Sequence, residues 1–240
     1  MARSIYIASP NAGTGKSTVA LGLVSCLTKV VAKVGVFRPF VESREGDAFL
    51  SLLLNRAGST TPPEQCVGAT WDEFHADPEE ALARIVDAYR AMAREHDVVI
   101  IDGSDFTDVA GNPELALNAR VAANIGVPVL LVVSGQNDVE DVVASVEVSM
   151  AEIADNHART VAVVANKCLP ETRQAVGEAL TAIEGITSTT LPEVPLLAAP
   201  VVREVLDAVE GTLIAGDETL LDREAESVLV CAMDVSHVLE

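Results

Sequence analysis

An α/β fold with a doubly wound, mostly parallel sheet is the class this sequence predicts, on three observations. Short Val- and Ile-rich runs alternate with longer stretches of helical spacing. Hydrophobic residues make up 49% of the chain but aromatics only 3%, so the core is filled by Val, Ala, Leu and Ile, as in strands covered on both faces. The first β-rich run leads straight into a glycine-rich turn that opens a helix.

Taken in order, Ser4–Ala8 is the first strand, and Thr18 to about Val31 a helix apolar nearly all round and therefore expected to be buried. Val34–Arg38 is the second strand, stopped by Pro39. A polar loop through Glu42, Arg44, Glu45, Gly46 and Asp47 leads to a short helix over Phe49–Arg56, and Gly58–Gln65 reads as loop. Asp77-Pro78-Glu79-Glu80 starts a helix that runs to about Glu95, with a capping Asp, Pro at the first position and acids at the positive end of the dipole. Asp97–Asp102 is the third strand, Pro113–Ile125 a helix, Val127–Val133 the fourth strand, Asp138–His157 a long helix and Thr160–Ala165 the fifth strand. Right-handed crossovers then gather the loops after the strands along one edge, where ligands bind.

After Leu191 the rhythm changes. Pro192, Pro195 and Pro200 punctuate a linker, a helix begins near Val201, and Glu226–Met233 reads as a strand. The organisation expected is one domain over residues 1–195 and the opening part of a second over 196–240. The Val228–Val230 strand would lack its partners there, so the segment is expected to be the least stable part or to pack against a second copy.

The formal charge is −20, from 36 acidic and 16 basic residues, which argues against nucleic acid or an anionic membrane as partner. A bound phosphate has to be neutralised locally, by a lysine, a magnesium ion or a helix N-terminus. The cysteines at 26, 66, 168 and 231 form no CxxC pair and read as buried small hydrophobes in a reducing compartment. No apolar run has the length of a signal peptide or a membrane span, so a cytoplasmic location is expected.

The turn Asn11-Ala12-Gly13-Thr14-Gly15-Lys16-Ser17-Thr18 follows a strand and opens a helix, as a phosphate-binding loop must. In such a loop, backbone N–H groups ring the phosphates. The lysine, here Lys16, bridges their oxygens, and the next hydroxyl, Ser17, ligates Mg²⁺. Pro10 stands where the first glycine of GxxxxGK[ST] is usual. Asp102, ending the third strand, is the expected Mg²⁺ carboxylate, with Asp47 a second acidic neighbour of the metal. Arg38 would point toward the terminal phosphate, and Asn166, ending the fifth strand, could read a base edge. The cofactors expected are Mg²⁺ and ATP. The four histidines, at 75, 96, 157 and 237, show no nucleophile–base spacing.

The series SPNAGTGKST, VFRPF, GDA, VVIIDG, VPVLLVVSG and VVANK resembles the dethiobiotin synthetase-like P-loop fold. More closely, it resembles the N-terminal domain of the long bacterial phosphate acetyltransferases. The tail PVVREVLDAVEGTLIAGDE…ESVLVCAMDVSHVLE looks like the start of their DRTGG regulatory domain. By motif, the synthetases' functional positions fall on Lys16, Ser17, Arg38, Asp47, Asp102 and Asn166. Arg38 replaces a lysine and Asp102 a glutamate, and Gly103-Ser104-Asp105-Phe106 replaces a glycine-rich stretch. These departures count against a working cyclo-ligase, because an arginine fork is always charged. The resemblance therefore implies a nucleotide- or effector-sensing, homo-oligomeric module whose acetyl-transfer site lies in a C-terminal catalytic domain. The alternatives are the ATP-dependent cyclo-ligase and a partition-type ATPase, which usually carries a signature lysine where Asn11 stands.

Overall fold

The computed structural model describes residues 3–104, 114–197 and 199–225. The chain divides into two compact units, Met1–Glu193 and Val194–Glu240.

In the first unit, β1 (Arg3–Ala8), β2 (Val34–Val41), β3 (Val67–Thr70), β4 (Val98–Asp102), β5 (Val129–Ser134), β6 (Thr160–Cys168) and β7 (Thr187–Pro192) form one seven-stranded sheet in the order β3-β2-β4-β1-β5-β6-β7. Every pairing is parallel. The helices are α1 (Lys16–Leu27), α2 (Ala48–Ala57), α3 (Trp71–Ala76), α4 (Pro78–Glu95), α5 (Glu114–Ile125), α6 (Val139–Asp155) and α7 (Arg173–Thr181). From β1 the chain steps outward to β2 and β3 through α1 and α2, then returns to β4 and on past β1 to β5, β6 and β7. With right-handed crossovers, α1 and α2 cover one face and α3 to α7 the other. The reversal falls beside β1 and β4, whose register pairs Ile7 with Asp102. A crevice therefore opens at the carboxyl ends of these two strands.

Burial follows composition. Val129 to Val133 are all buried in β5, and Val99, Ile100 and Ile101 have no exposure. Asp77 caps α4 as its residues predict, accepting from the Glu79 and Glu80 N–H groups at 3.1 and 3.0 Å. The all-round apolar first helix is instead buried along one stripe, through Lys16, Val19, Ala20 and Val24. A helix lying on a sheet offers only one face to it, whatever its other faces carry.

Three expectations are corrected. Pro39 does not stop the second strand, because β2 continues to Val41. Pairing with β4 ends at Phe37, and Arg38 and Phe40 face β3, so the missing N–H of Pro39 falls where no ladder bond is due. The sheet also gains two edge strands, β3 and β7, in stretches whose composition had not suggested them. Of the cysteines, Cys66 and Cys168 are buried but Cys26 is exposed. Burial pushes the Cys66 thiol up to about 11.

In the second unit, α8 (Val202–Ala208) packs on a short 3₁₀ turn, Glu218–Asp222. Val201 bridges Glu224 in antiparallel sense, and Arg203 pairs with Asp222 at 2.9 Å. The strand expected over Glu226–Met233 lies outside the described residues, as do Asp105, Phe106, Pro113, Cys231 and His237.

Candidate phosphate-binding site

The loop leaves β1 at Ala8 and enters α1 at Lys16, two residues earlier than the sequence suggests. Gly13 and Gly15 sit at φ 76° and 79°. Gly15, the residue before α1, takes the left-handed conformation that a side chain would strain, and as the cap residue it offers no side chain to the helix N-terminus. A helix N-terminus that opens on a glycine-rich turn in this way favours an anion. Asn11, Ala12, Gly13 and Thr18 are exposed, Gly15 and Ser17 are half-buried, and Thr14 is buried.

The far end of the sheet braces the loop. Asn166 Nδ2 donates to the Thr14 carbonyl at 2.9 Å, and Lys167 Nζ to the Gly13 carbonyl at 2.8 Å. A Cβ on Gly15 would lie 2.3 Å from Asn166 Nδ2, so the contact needs glycine there. Asn166 was expected at a base edge, and its amide nitrogen is spent on the loop backbone. Lys167 was not singled out from the sequence. Its only signal is that it adjoins Asn166 at a strand end.

Beneath the loop lies a chain of alternating charges. Lys16 is 1% exposed and donates to Asp102 Oδ1 and to the Gly103 carbonyl, each at 2.6 Å. Asp102, 0% exposed, has its Oδ2 3.4 Å from Arg38 Nε. Arg38 Nη1 pairs in turn with Asp47 Oδ2, and its guanidinium lies 5.9 Å from the Phe49 ring centre. Asp47 Oδ1 accepts from the Leu50 N–H at 2.8 Å and so caps α2. A side chain expected near the metal thus also closes a helix end. Opposite charges repeating along the row offset the desolvation of each carboxylate.

The donor set suits a magnesium-bound phosphate. Thr14 Oγ1 and Asp102 Oδ2 are buried side-chain atoms without a hydrogen-bond partner. Such orphans are satisfied by a ligand or by ordered water. With the Ser17 hydroxyl and the N-terminus of α1 they would supply oxygen toward a hard, hydrated cation and N–H toward its phosphates. Among the described residues no cluster of three or more His, Cys, Asp or Glu forms a metal cage.

On the other side of Asp102, Tyr6 donates to Asn118 Oδ1 at 2.6 Å, and Asn118 Oδ1 also accepts the Ser104 N–H at 3.0 Å. Burial, and then the charges of Asp102 and Glu114, hold the Tyr6 phenol well above its ordinary value of 10.0. The folded state therefore keeps this proton where the unfolded chain releases it. The stability involved is fully present below pH 10.0 and declines as pH rises above that value. Urea midpoints taken from pH 8 to 11 should fall less steeply for Tyr6→Phe than for the parent, after an offset of about 1 kcal/mol for the lost hydrogen bond. Parallel curves would place the alkaline sensitivity elsewhere.

A sequence-family model described as an AAA domain matches residues 3–205. The phosphate acetyltransferase of Synechocystis sp. is 24% identical over 251 residues, covering 100% of this chain and 36% of that protein. The phosphate acetyltransferase of Nitratidesulfovibrio vulgaris is 24% identical over 256 residues, with the same coverage of 100% and 36%. The chain thus spans about a third of the length of these curated relatives. Among solved structures, a plasmid partition protein from Borrelia burgdorferi superposes with a TM-score of 0.56 at 15% identity, over 80% of this chain and 90% of that one. The MinD cell division protein of Aquifex aeolicus gives a TM-score of 0.54 at 17% identity, over 82% and 84%. These likenesses bear out the doubly wound P-loop architecture, and with the match over residues 3–205 the chain belongs to the AAA domain family.

Proposed function

We propose that this chain is the N-terminal, nucleotide-binding regulatory part of a phosphate acetyltransferase and does not itself carry the acetyl-transfer site. One observation carries the reading. Phosphate acetyltransferases align with the chain from end to end, yet the aligned part is only 36% of their length. The rest of such a protein would hold the site where coenzyme A and phosphate meet. The DRTGG-like reading of residues 196–240, a homo-oligomeric assembly and a cytoplasmic location belong to the same proposal. Among the described residues no helix is long and apolar enough to cross a membrane.

The ligand proposed for the loop is Mg·ATP. Lys16 would leave Asp102 for the phosphate oxygens, Ser17 would ligate the metal, and Asp102, freed of its lysine, would hold the metal's water. Arg38 and Asp47 would complete the surroundings, and Asn166 would keep the loop in shape. Magnesium supplies charge neutralisation that a chain of net charge −20 otherwise lacks. Asp102→Asn keeps the shape and removes the charge, so Mg·ATP affinity should fall at least tenfold, about 1.4 kcal/mol. Calorimetry with and without the metal checks this, and unchanged affinity would remove Asp102 from the site.

A separate measurement addresses the division of labour. Acetyl transfer needs cations for both coenzyme A and phosphate, and donors for the oxyanion of a tetrahedral intermediate. Thiol release from acetyl-CoA and phosphate should stay at background with this chain, beside a full-length phosphate acetyltransferase as positive control. Turnover within tenfold of the control would overturn the proposal.

A further inference from the structure

The opposite edge of the sheet holds a cavity of about 1100 Å³, at the amino ends of the strands. Arg3, opening β1, lines it, and so do Arg90 and Arg94 of α4 and His96 just after that helix. β1 has six residues, so at roughly 3.3 Å per residue its length separates this cavity from the phosphate loop. We infer that this cavity is a second binding site, for a small organic polyanion carrying several carboxylate or phosphate oxygens.

Charge is the first argument. The chain has 16 basic residues against 36 acidic ones, yet three arginines converge here. Arg90 and Arg94 are four apart on one helix, so they share a face. Arg38, Arg44, Arg84, Arg120 and Arg203 are each spent on a carboxylate, whereas among the described residues Arg3, Arg90 and Arg94, like the dispersed Arg56, Arg159, Arg173 and Arg223, make no ion pair. Asp97, the one acid of the lining, accepts from the Lys33 N–H at 3.2 Å. In a strongly negative molecule this concentrates positive potential in one concavity.

Shape is the second argument. The inner wall is apolar and well packed, with Tyr89, Ala93, Ile125 and Val127 between 5 and 9% exposed. The Tyr89 hydroxyl is held by Ser4 Oγ at 2.8 Å. His96 Nδ1 lies 2.9 Å from the Met92 carbonyl and donates to it, which holds the ring in place at the cavity wall. Its ring lies against Gly35, where a Cβ would come within 2.9 Å. A smaller recess of about 180 Å³ shares Gly126, Val127 and Pro128 with the cavity and adds Arg159. An apolar wall with a few fixed polar groups is the ordinary make-up of a small-molecule site. Arginine forks match carboxylate and phosphate oxygens in pairs.

The test uses the 240-residue chain at low ionic strength, without divalent metal, titrated calorimetrically with citrate and with inorganic pyrophosphate. The arms distinguish carboxylate from phosphate as the group recognised. At least one should bind below about 10 mM and weaken with added salt. The R90Q/R94Q variant, changed only at exposed positions of α4, should lose at least tenfold in that affinity while its Mg·ATP titration stays within twofold of the parent. A bound probe should also protect Arg90 and Arg94 from phenylglyoxal, read by peptide mass spectrometry. Failure of both probes to bind, or binding indifferent to R90Q/R94Q, overturns the inference. In that case the arginines serve a larger acidic partner or none. Because the readout is kept apart from Mg·ATP, the nucleotide proposal could fail while this one stands.

Discussion

Lys16→Ala should unfold in markedly less urea than the parent and should bind no Mg·ATP. Lys16 is the amine that the loop would offer to phosphate, but it is also a buried cation, 2.6 Å from a carboxylate with no exposure of its own. Removing one partner of a buried pair leaves the other charged and dry, at a cost of about 3–5 kcal/mol. Arg38 Nε, 3.4 Å from the other Asp102 oxygen, offsets part of this, so the lower end, about 3 kcal/mol, is expected. That is a large share of a typical domain's roughly 5–15 kcal/mol. Combining Lys16→Ala with Asp102→Asn should recover much of the stability and none of the binding. This double-variant cycle separates the structural loss from the functional one. Stability equal to the parent's in Lys16→Ala alone would show that the pair does not hold the end of β4.

The second large effect is expected at Gly103. Its N–H donates to the Ile7 carbonyl at 2.9 Å, and its own carbonyl accepts from Lys16. A Cβ there would lie 2.6 Å from Asn118 Oδ1, 2.7 Å from the Ile7 carbonyl and 2.8 Å from Tyr6 Cε1. The Ile7 carbonyl belongs to a central strand and cannot swing aside as a side-chain end would. Gly103→Ala should therefore cost about 3 kcal/mol, at the upper end of ordinary overpacking, since β1 and β4 must part where Asp102 is held. Gly13→Ala makes a useful contrast. It has the unfavourable φ of 76° but nothing within 4 Å of the new Cβ, so about 1–2 kcal/mol is expected. Urea unfolding of both variants checks the ranking, and equal losses would discount the steric argument.

Much of this architecture is legible in the residues, and what is not has identifiable causes. Strands flanked on both sides declare themselves as unbroken apolar runs, so β1, β4 and β5 stand out. The two edge strands do not. β3 is only four residues long and contains a glycine. β7 reads TSTTLP and is at most half-buried, so its pairing comes from β6 rather than from any apolar pattern of its own. The glycine loop and its lysine are visible because phosphate chemistry constrains their spacing. Asp102 is visible because it ends a clear strand. The partnership of Lys16 with Asp102 is not, since it spans 86 residues and depends on β1 and β4 becoming neighbours. Nor could Asp47 be seen as the cap of α2 while its helix was expected to begin at Phe49.

The bracing of the loop by Asn166 and Lys167 also sets a clock on biosynthesis. The residues of the motif leave the ribosome before the groups that hold its backbone, which follow 152 and 154 residues later. At about 5–20 residues per second that is a delay of roughly eight to thirty seconds. Throughout it the nascent segment carries the complete glycine–lysine motif without the strand that gives it shape. A ligand of the loop can therefore act on the finished sheet but cannot chaperone its early assembly. A chain cut before β6 should keep every residue of the motif and lose its function.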